Sequence, residues 1–180
     1  LVEAILGLVP RSRLNDVILF DPADTEWPVG LNLLEATTPT EKDFAIAEMI
    51  AIFQKLFLAE HLGPIFEHSM RNAMLTLMAD NENPGTLVDI PRIFTDPTFV
   101  RQLLIKVTDP LVRDYWEKEM LKMTEQYKSE MLGYLISKVG RFVENSMMRN
   151  IIGQNRSSID FNDVINNGKI LLVNLSKGRL

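Results

Sequence analysis

The side chains that could do chemistry in this chain are few. Cysteine is absent from the 180 residues, which excludes thiolate metal sites, a cysteine nucleophile and a disulfide framework. The only two histidines, His61 and His68, stand seven residues apart with Glu60 and Glu67 beside them. Carboxylate-bridged metal bundles use a Glu-x-x-His spacing on paired helices. That spacing is missing, and no third ligand recurs at a distance that converges on the pair, so both histidines are read as structural. Binding of a nucleoside triphosphate would need a cradle of the form G-x-x-x-x-G-K-[ST], whose backbone amides and lysine hold the phosphates. None is present. The segment NNGKILLVNLSKG near the end carries Gly-Lys and Lys-Gly pairs, but neither has the upstream glycine or the following helix. No apolar strand ends in the paired acids that could hold magnesium. The chain therefore offers no catalytic, cofactor-binding or metal-binding residue, and it is expected neither to bind nor to hydrolyse ATP by itself.

Charge is unevenly distributed. The net charge is −5 overall: −4 over residues 1–40, −4 over 41–140 and +3 over 141–180. The basic excess includes Arg141, Arg149 and Arg156, the first two eight residues apart and so close to one face of a helix spanning both. A solvated helix face is the plain reading of these three; contact with nucleic-acid phosphates is the functional one. Nine methionines are many for this length, and Met120, Met123, Met131, Met147 and Met148 fall in the second half. Filling irregular core gaps is the first expectation, a groove for a partner helix the second.

The elements that position these residues are mainly helical. DVILFD (16–21) and KILLVNL (169–175) are short apolar runs rich in branched residues, as buried strands of a parallel sheet are. The 130 or so residues between them show helical periodicity and no convincing strand. Thr40 is placed to cap a helix through residues 41–60, and Gly63-Pro64 separates it from a second that ends near Asp80, making an antiparallel hairpin. Asp96-Pro97 and Asp109-Pro110 each read as an aspartate N-cap followed by proline in the first turn. Tyr115 and Trp116 are expected to anchor their helix, and Trp27 to pack the boundary at the linker 22–39. A long helix is predicted from about Glu125 to Ile152, with Leu132, Leu135, Val139, Phe142 and Ser146 on one stripe. Gly133 and Gly140 lie within it as candidate kinks. Ser158 or Asp160 caps a last short helix that Gly168 ends. At 46% hydrophobic and 24% charged the composition suits a folded domain with a sizeable core. No apolar run approaches the ~18 residues of a membrane span.

LVEAILGLVP, DVILFDPADTEWPVGLNLLE and NNGKILLVNLSKGRL resemble segments of conjugative coupling proteins and type IV secretion motor ATPases of the HerA–FtsK superfamily. Asn32 and Leu33 fit that family's Asn-Pro-Leu turn except for the proline, which is replaced here. The resemblance implies a mainly α chain: an all-helical insertion domain (40–157) flanked by pieces of a RecA-like α/β motor domain (1–39 and 158–180). It implies an internal fragment of a longer DNA-translocating ATPase, with the phosphate loop upstream and the acidic strand downstream. ATP and magnesium would then belong to the parent protein and not to this fragment. DNA or a relaxase-type protein cargo would be the partner of a homo-oligomeric ring in the cytoplasm, held at the inner face of the membrane through parts outside this chain. Arg141, Arg149 and Arg156 would contact DNA phosphates. The alternative is a non-enzymatic helical adaptor that binds a protein through its methionine-rich face.

Overall fold

A computed structural model describes residues 2–57 and 62–175 of the chain. It is mainly helical, with one two-stranded parallel sheet among the described residues. After α1 (Val2–Leu6) and a 3-10 turn, β1 (Val17–Phe20) leads into an irregular segment and then into α2 (Pro39–Leu56) and α3 (Pro64–Leu77). The middle holds α4 (Ile90–Thr95), α5 (Pro97–Leu104), α6 (Pro110–Asp114) and α7 (Met120–Lys122). Then come α8 (Glu125–Val143), α9 (Ser146–Ile152), α10 (Phe161–Asn166) and β2 (Ile170–Val173).

The expected strands pair with each other, trimmed at their ends, with Val17 opposite Ile170 and Phe20 opposite Val173. Asn174 extends the ladder by donating its amide to the Phe20 carbonyl, 2.8 Å, and its side chain to Asp21 Oδ2, 2.8 Å. Gly168, at φ +61°, makes the turn from α10 into β2 in a region that costs other residues a steric penalty. The guanidinium of Arg13, just before β1, donates to the Gly168 carbonyl and so ties the two strand entrances together. Asp160, not Ser158, caps α10, accepting from the amides of Asn162 and Asp163.

Helix starts follow local chemistry. Asp96 and Asp109 accept from the first-turn amides of α5 and α6, each with proline in the first turn. At α2 the cap is Thr38 and not Thr40. Pro39 takes the first helical position, and Thr38 and Glu41 form a reciprocal capping box, which the sequence T-P-T-E spells at the right spacing. The amides of Thr38 and Thr37, with the Thr37 hydroxyl, hold the Glu41 carboxyl down to about 2. A carboxyl depressed below its ordinary value contributes to folding above that value and loses the contribution as pH falls through the window from 4.5 to about 2. In an NMR titration the Thr37 and Thr38 amide resonances should therefore shift with a midpoint near the bottom of that window. A midpoint near 4.5 would show that the box does not form, and Glu41→Gln should abolish the titration.

The core joins α2, α3, α4 and α8. Asp43 pairs with Arg71 (2.5 Å) and Gln54 with Glu67 (2.9 Å); the numbering runs in opposite senses, so α2 and α3 form the expected antiparallel hairpin. Fully buried Phe53 meets Phe66 of α3 edge-on at 5.4 Å and Phe142 of α8 at 5.5 Å. Most methionines are core: Met49, Met70, Met74, Met78 and Met131 are buried, and Met120, Met123 and Met148 pack half-buried against the same cluster. The predicted single helix over 125–152 is two. Asn145 breaks it because its Oδ1 accepts from the Met148 amide, 3.0 Å, and caps α9. Leu135 and Val139 lie on the buried stripe, whereas Ser146, beyond the break, is exposed. α8 runs through Gly133 and Gly140 without interruption. Tyr115 and Trp116 are buried as expected, but in a π-helical stretch, Tyr115–Glu119, between α6 and α7. Trp116 Nε1 donates to Thr76 Oγ1 at 2.8 Å. Trp27 does not pack the boundary: it is 79% exposed, its backbone amide held with that of Glu26 by the Asp24 carboxylate in an outward loop.

Candidate functional site

Two regions outside the core gather polar and charged groups. The first is the place where the chain enters and leaves the helical body. Gly30 donates its amide to Ser158 Oγ (3.0 Å) and accepts from the Ser158 amide (2.9 Å). Leu31 donates to the Ile151 carbonyl (2.9 Å), and Asn32 donates its amide to Ser157 Oγ (3.0 Å). The side chain of Asn32, only 5% exposed, is fully used: Nδ2 donates to the carbonyls of Gly85 (3.2 Å) and Asn155 (3.0 Å), and Oδ1 accepts from Leu34 N (2.9 Å). A Cβ on Gly30 would stand 2.6 Å from Gln154 Oε1 and 2.9 Å from the Arg156 carbonyl, so only glycine lets the two segments lie this close. Glu35 completes the clasp by accepting from the Ser157 amide, 2.8 Å, and pairing with Arg156, 3.2 Å. Partial burial pushes the Glu35 carboxyl up, but the Ser157 hydrogen bonds and the Arg156 charge outweigh it and hold the group below the usual carboxylate range.

The second region is the surface around α8 and the cations expected to be functional. Arg141 lies near the end of α8 and Arg149 on α9, so the stripe expected on one helix is divided by the break at Asn145. Arg149 Nη1 donates to the Val143 carbonyl, 3.3 Å, on the surface. Arg156 belongs to the clasp, bridging Glu35 and the carbonyls of Asn81 and Glu82. Arg141 is different. Its guanidinium lies over the Phe57 ring at 5.2 Å, and Lys138 Nζ sits over the same ring at 4.7 Å and over Tyr134 at 5.3 Å. Beside them a shallow hollow of about 400 Å³ opens between Tyr127, Tyr134, Met131, Ile65 and Pro64.

A larger cleft of about 790 Å³ lies between α4, α5, the π-helical stretch and α8, walled by Phe94, Trp116, Met120 and Leu132. Of the methionines only Met120 lines it. His68 meets Glu119 at 2.9 Å on the surface and stacks edge-on against Tyr115. Burial pushes the Tyr115 hydroxyl up to about 12. His61, Glu60 and the Lys177-Gly178 pair lie outside the described residues. Among the described residues no three histidine or acidic side chains come together to hold a metal ion, and no helix is long and apolar enough to cross a membrane.

No protein-family model, curated protein or solved structure matches the chain. Sequence reasoning singled out Arg141 and missed Lys138, Tyr134 and Tyr127. Their spacing of three, four and seven residues puts them on one side of a helix, which was the signal available.

Proposed function

We propose that the chain is the helical insertion, with two flanking strands, of a larger DNA-translocating motor ATPase, and that the helical body carries the contacts to DNA or cargo. One observation carries this reading. The whole helical body is a single excursion between two strands that are parallel neighbours in one sheet, and its entry and exit are clasped at Gly30 and Ser158. All eight residues of those strands are apolar, yet none is buried, and Leu19 is 46% exposed. Parallel sheets are covered on both faces and two strands alone are marginal in water. A pair of this kind belongs in a wider α/β sheet, and a RecA-like motor domain is the host that the resemblance supplies. ATP and magnesium would be held by residues of that host, in a cytoplasmic ring of several copies. The adaptor reading has less behind it, because the methionines it relies on mostly fill the core.

The clasp makes the test direct. Gly30 and Ser158 are hydrogen-bonded to each other, so residues 31–157 can be replaced by a short glycine-serine link without moving the strands. The full-length protein should hydrolyse ATP and be stimulated by DNA; the excised form should keep basal hydrolysis and lose the stimulation. The 180-residue chain alone should hydrolyse none. A full-length protein without ATP hydrolysis would overturn the reading.

A further inference from the structure

We propose that the flank of α8 beside Phe57 and Phe66 is a binding surface for single-stranded nucleic acid, with Tyr127 and Tyr134 stacking bases and Lys138 and Arg141 contacting phosphates. The proposal rests on the reading above only in its choice of partner; its physical basis is local. Lys138 and Arg141 share one aromatic ring, Phe57, itself 8% exposed. Each lies within about 6 Å of the ring centroid, where a cation gains from the ring face. Neither reaches a carboxylate among the described residues, where nine lysine and arginine side chains do. Glu144, the nearest acid along the helix, lies against Gly140 instead. Two like charges gathered on one ring with no carboxylate paired to either among the described residues repel each other, and an anion that joins them relieves that repulsion.

The shape selects among anions. Tyr134 is 36% and Tyr127 40% exposed, with the hollow between them. Tyr134 is held edge-on against Phe66, ring centroids 6.1 Å apart, and carries Lys138 Nζ over its ring at 5.3 Å, so base and phosphate contacts to these two side chains would be adjacent. Residues 127, 134 and 141 follow one another along α8 at steps of seven, about 10 Å each at 1.5 Å per residue. A row of aromatic faces ending in cations is the arrangement that binds single strands without reading sequence, since every base has a π-face and every nucleotide a phosphate. Paired bases inside a duplex cannot stack on such rings. A motor that accepts any sequence needs this indifference.

Fluorescence anisotropy of a labelled oligodeoxythymidylate with the 180-residue chain tests the surface without requiring ATP hydrolysis. Binding should be weak and salt-dependent and should exceed that of a duplex of equal length. Lys138→Gln with Arg141→Gln should reduce the slope of log affinity against log salt by about 0.7 per cation. Tyr127→Leu with Tyr134→Leu should weaken single-strand binding by about tenfold or more, while the two Tyr→Phe changes, which keep the rings, should leave it within about twofold. Arg149→Gln should bind as the parent does. Thermal melts establish that each variant is folded. Unchanged binding in either the charge or the leucine variant overturns the proposal, as does duplex binding at least as tight. So does polyglutamate that competes as well as the oligonucleotide, which would mark the face as a site for an acidic protein. Single-strand binding that survives in a full-length protein unable to hydrolyse ATP would sink the motor reading alone; ATP hydrolysis with no binding at this face would sink the surface alone.

Discussion

Phe53→Ala should lower the free energy of unfolding by about 3–5 kcal/mol, the largest loss expected for a single truncation in this protein. Phe53 is fully buried and stands where three helices meet, touching Phe57 of its own helix end, Phe66 of α3 and Phe142 of α8. Truncation removes the transfer free energy of the ring, leaves a cavity that three separate helices cannot easily collapse into, and ends two edge-on aromatic contacts worth about 1 kcal/mol each. Urea unfolding followed by circular dichroism should show a lower midpoint with an unchanged slope. A loss below about 1 kcal/mol would mean that α2, α3 and α8 do not share this core.

Asn32→Leu should cost about 2–4 kcal/mol despite its nearly conserved volume. Its side chain, itself buried, donates to the carbonyls of Gly85 and Asn155 and accepts from the amide of Leu34. Leucine leaves all three without this partner; the buried Leu34 amide costs on the order of 1–3 kcal/mol as an orphan, and the part-buried carbonyls of Gly85 and Asn155 cost less because water reaches them. The clasp also depends on this residue, because the same asparagine holds entry segment, exit segment and the loop before α4. Hydrogen exchange should therefore show faster opening at Leu31, Leu34 and Ser158, while the α2–α3 hairpin keeps its protection. Uniform loss of protection across the body would show that Asn32 supports the core as a whole and does not specifically close the neck.

What the sequence displays is what neighbouring residues settle among themselves. Asp96-Pro97 and Asp109-Pro110 were readable as helix starts because cap and first turn lie within four residues. The strands were readable as apolar runs bounded by turn residues, and the helical period between them excluded further strands. Thr40 directly precedes the acidic first turn and so reads as the cap, but the capping-box spacing of three to Glu41 belongs to Thr38, which is the cap. Asn145 gives little warning of the break, because an asparagine beside an apolar stripe costs a helix little unless its side chain turns to cap the next one. The π-helical stretch at Tyr115 depends on two large rings finding room among α3 and α4, and no local pattern marks it. The surface on α8 was half visible: its own spacing is in the sequence, but the Phe57 ring that gathers the two cations comes from the far end of α2. The clasp was least visible, since its partners lie more than 120 residues apart.

That separation bears on the order in which the molecule folds. β1 and β2 pair across 153 positions, and bringing two strands together over so long a chain would be slow and entropically costly. Once the helical body has formed and Gly30 has met Ser158, the strands are joined by an effective loop of only roughly 25 residues, because the body between them acts as one rigid link. On the logarithmic dependence of closure entropy on length, this shortening is worth about 1–2 kcal/mol. The helices should therefore form first and the sheet last, with the clasp as the event that turns a distant pairing into a near one.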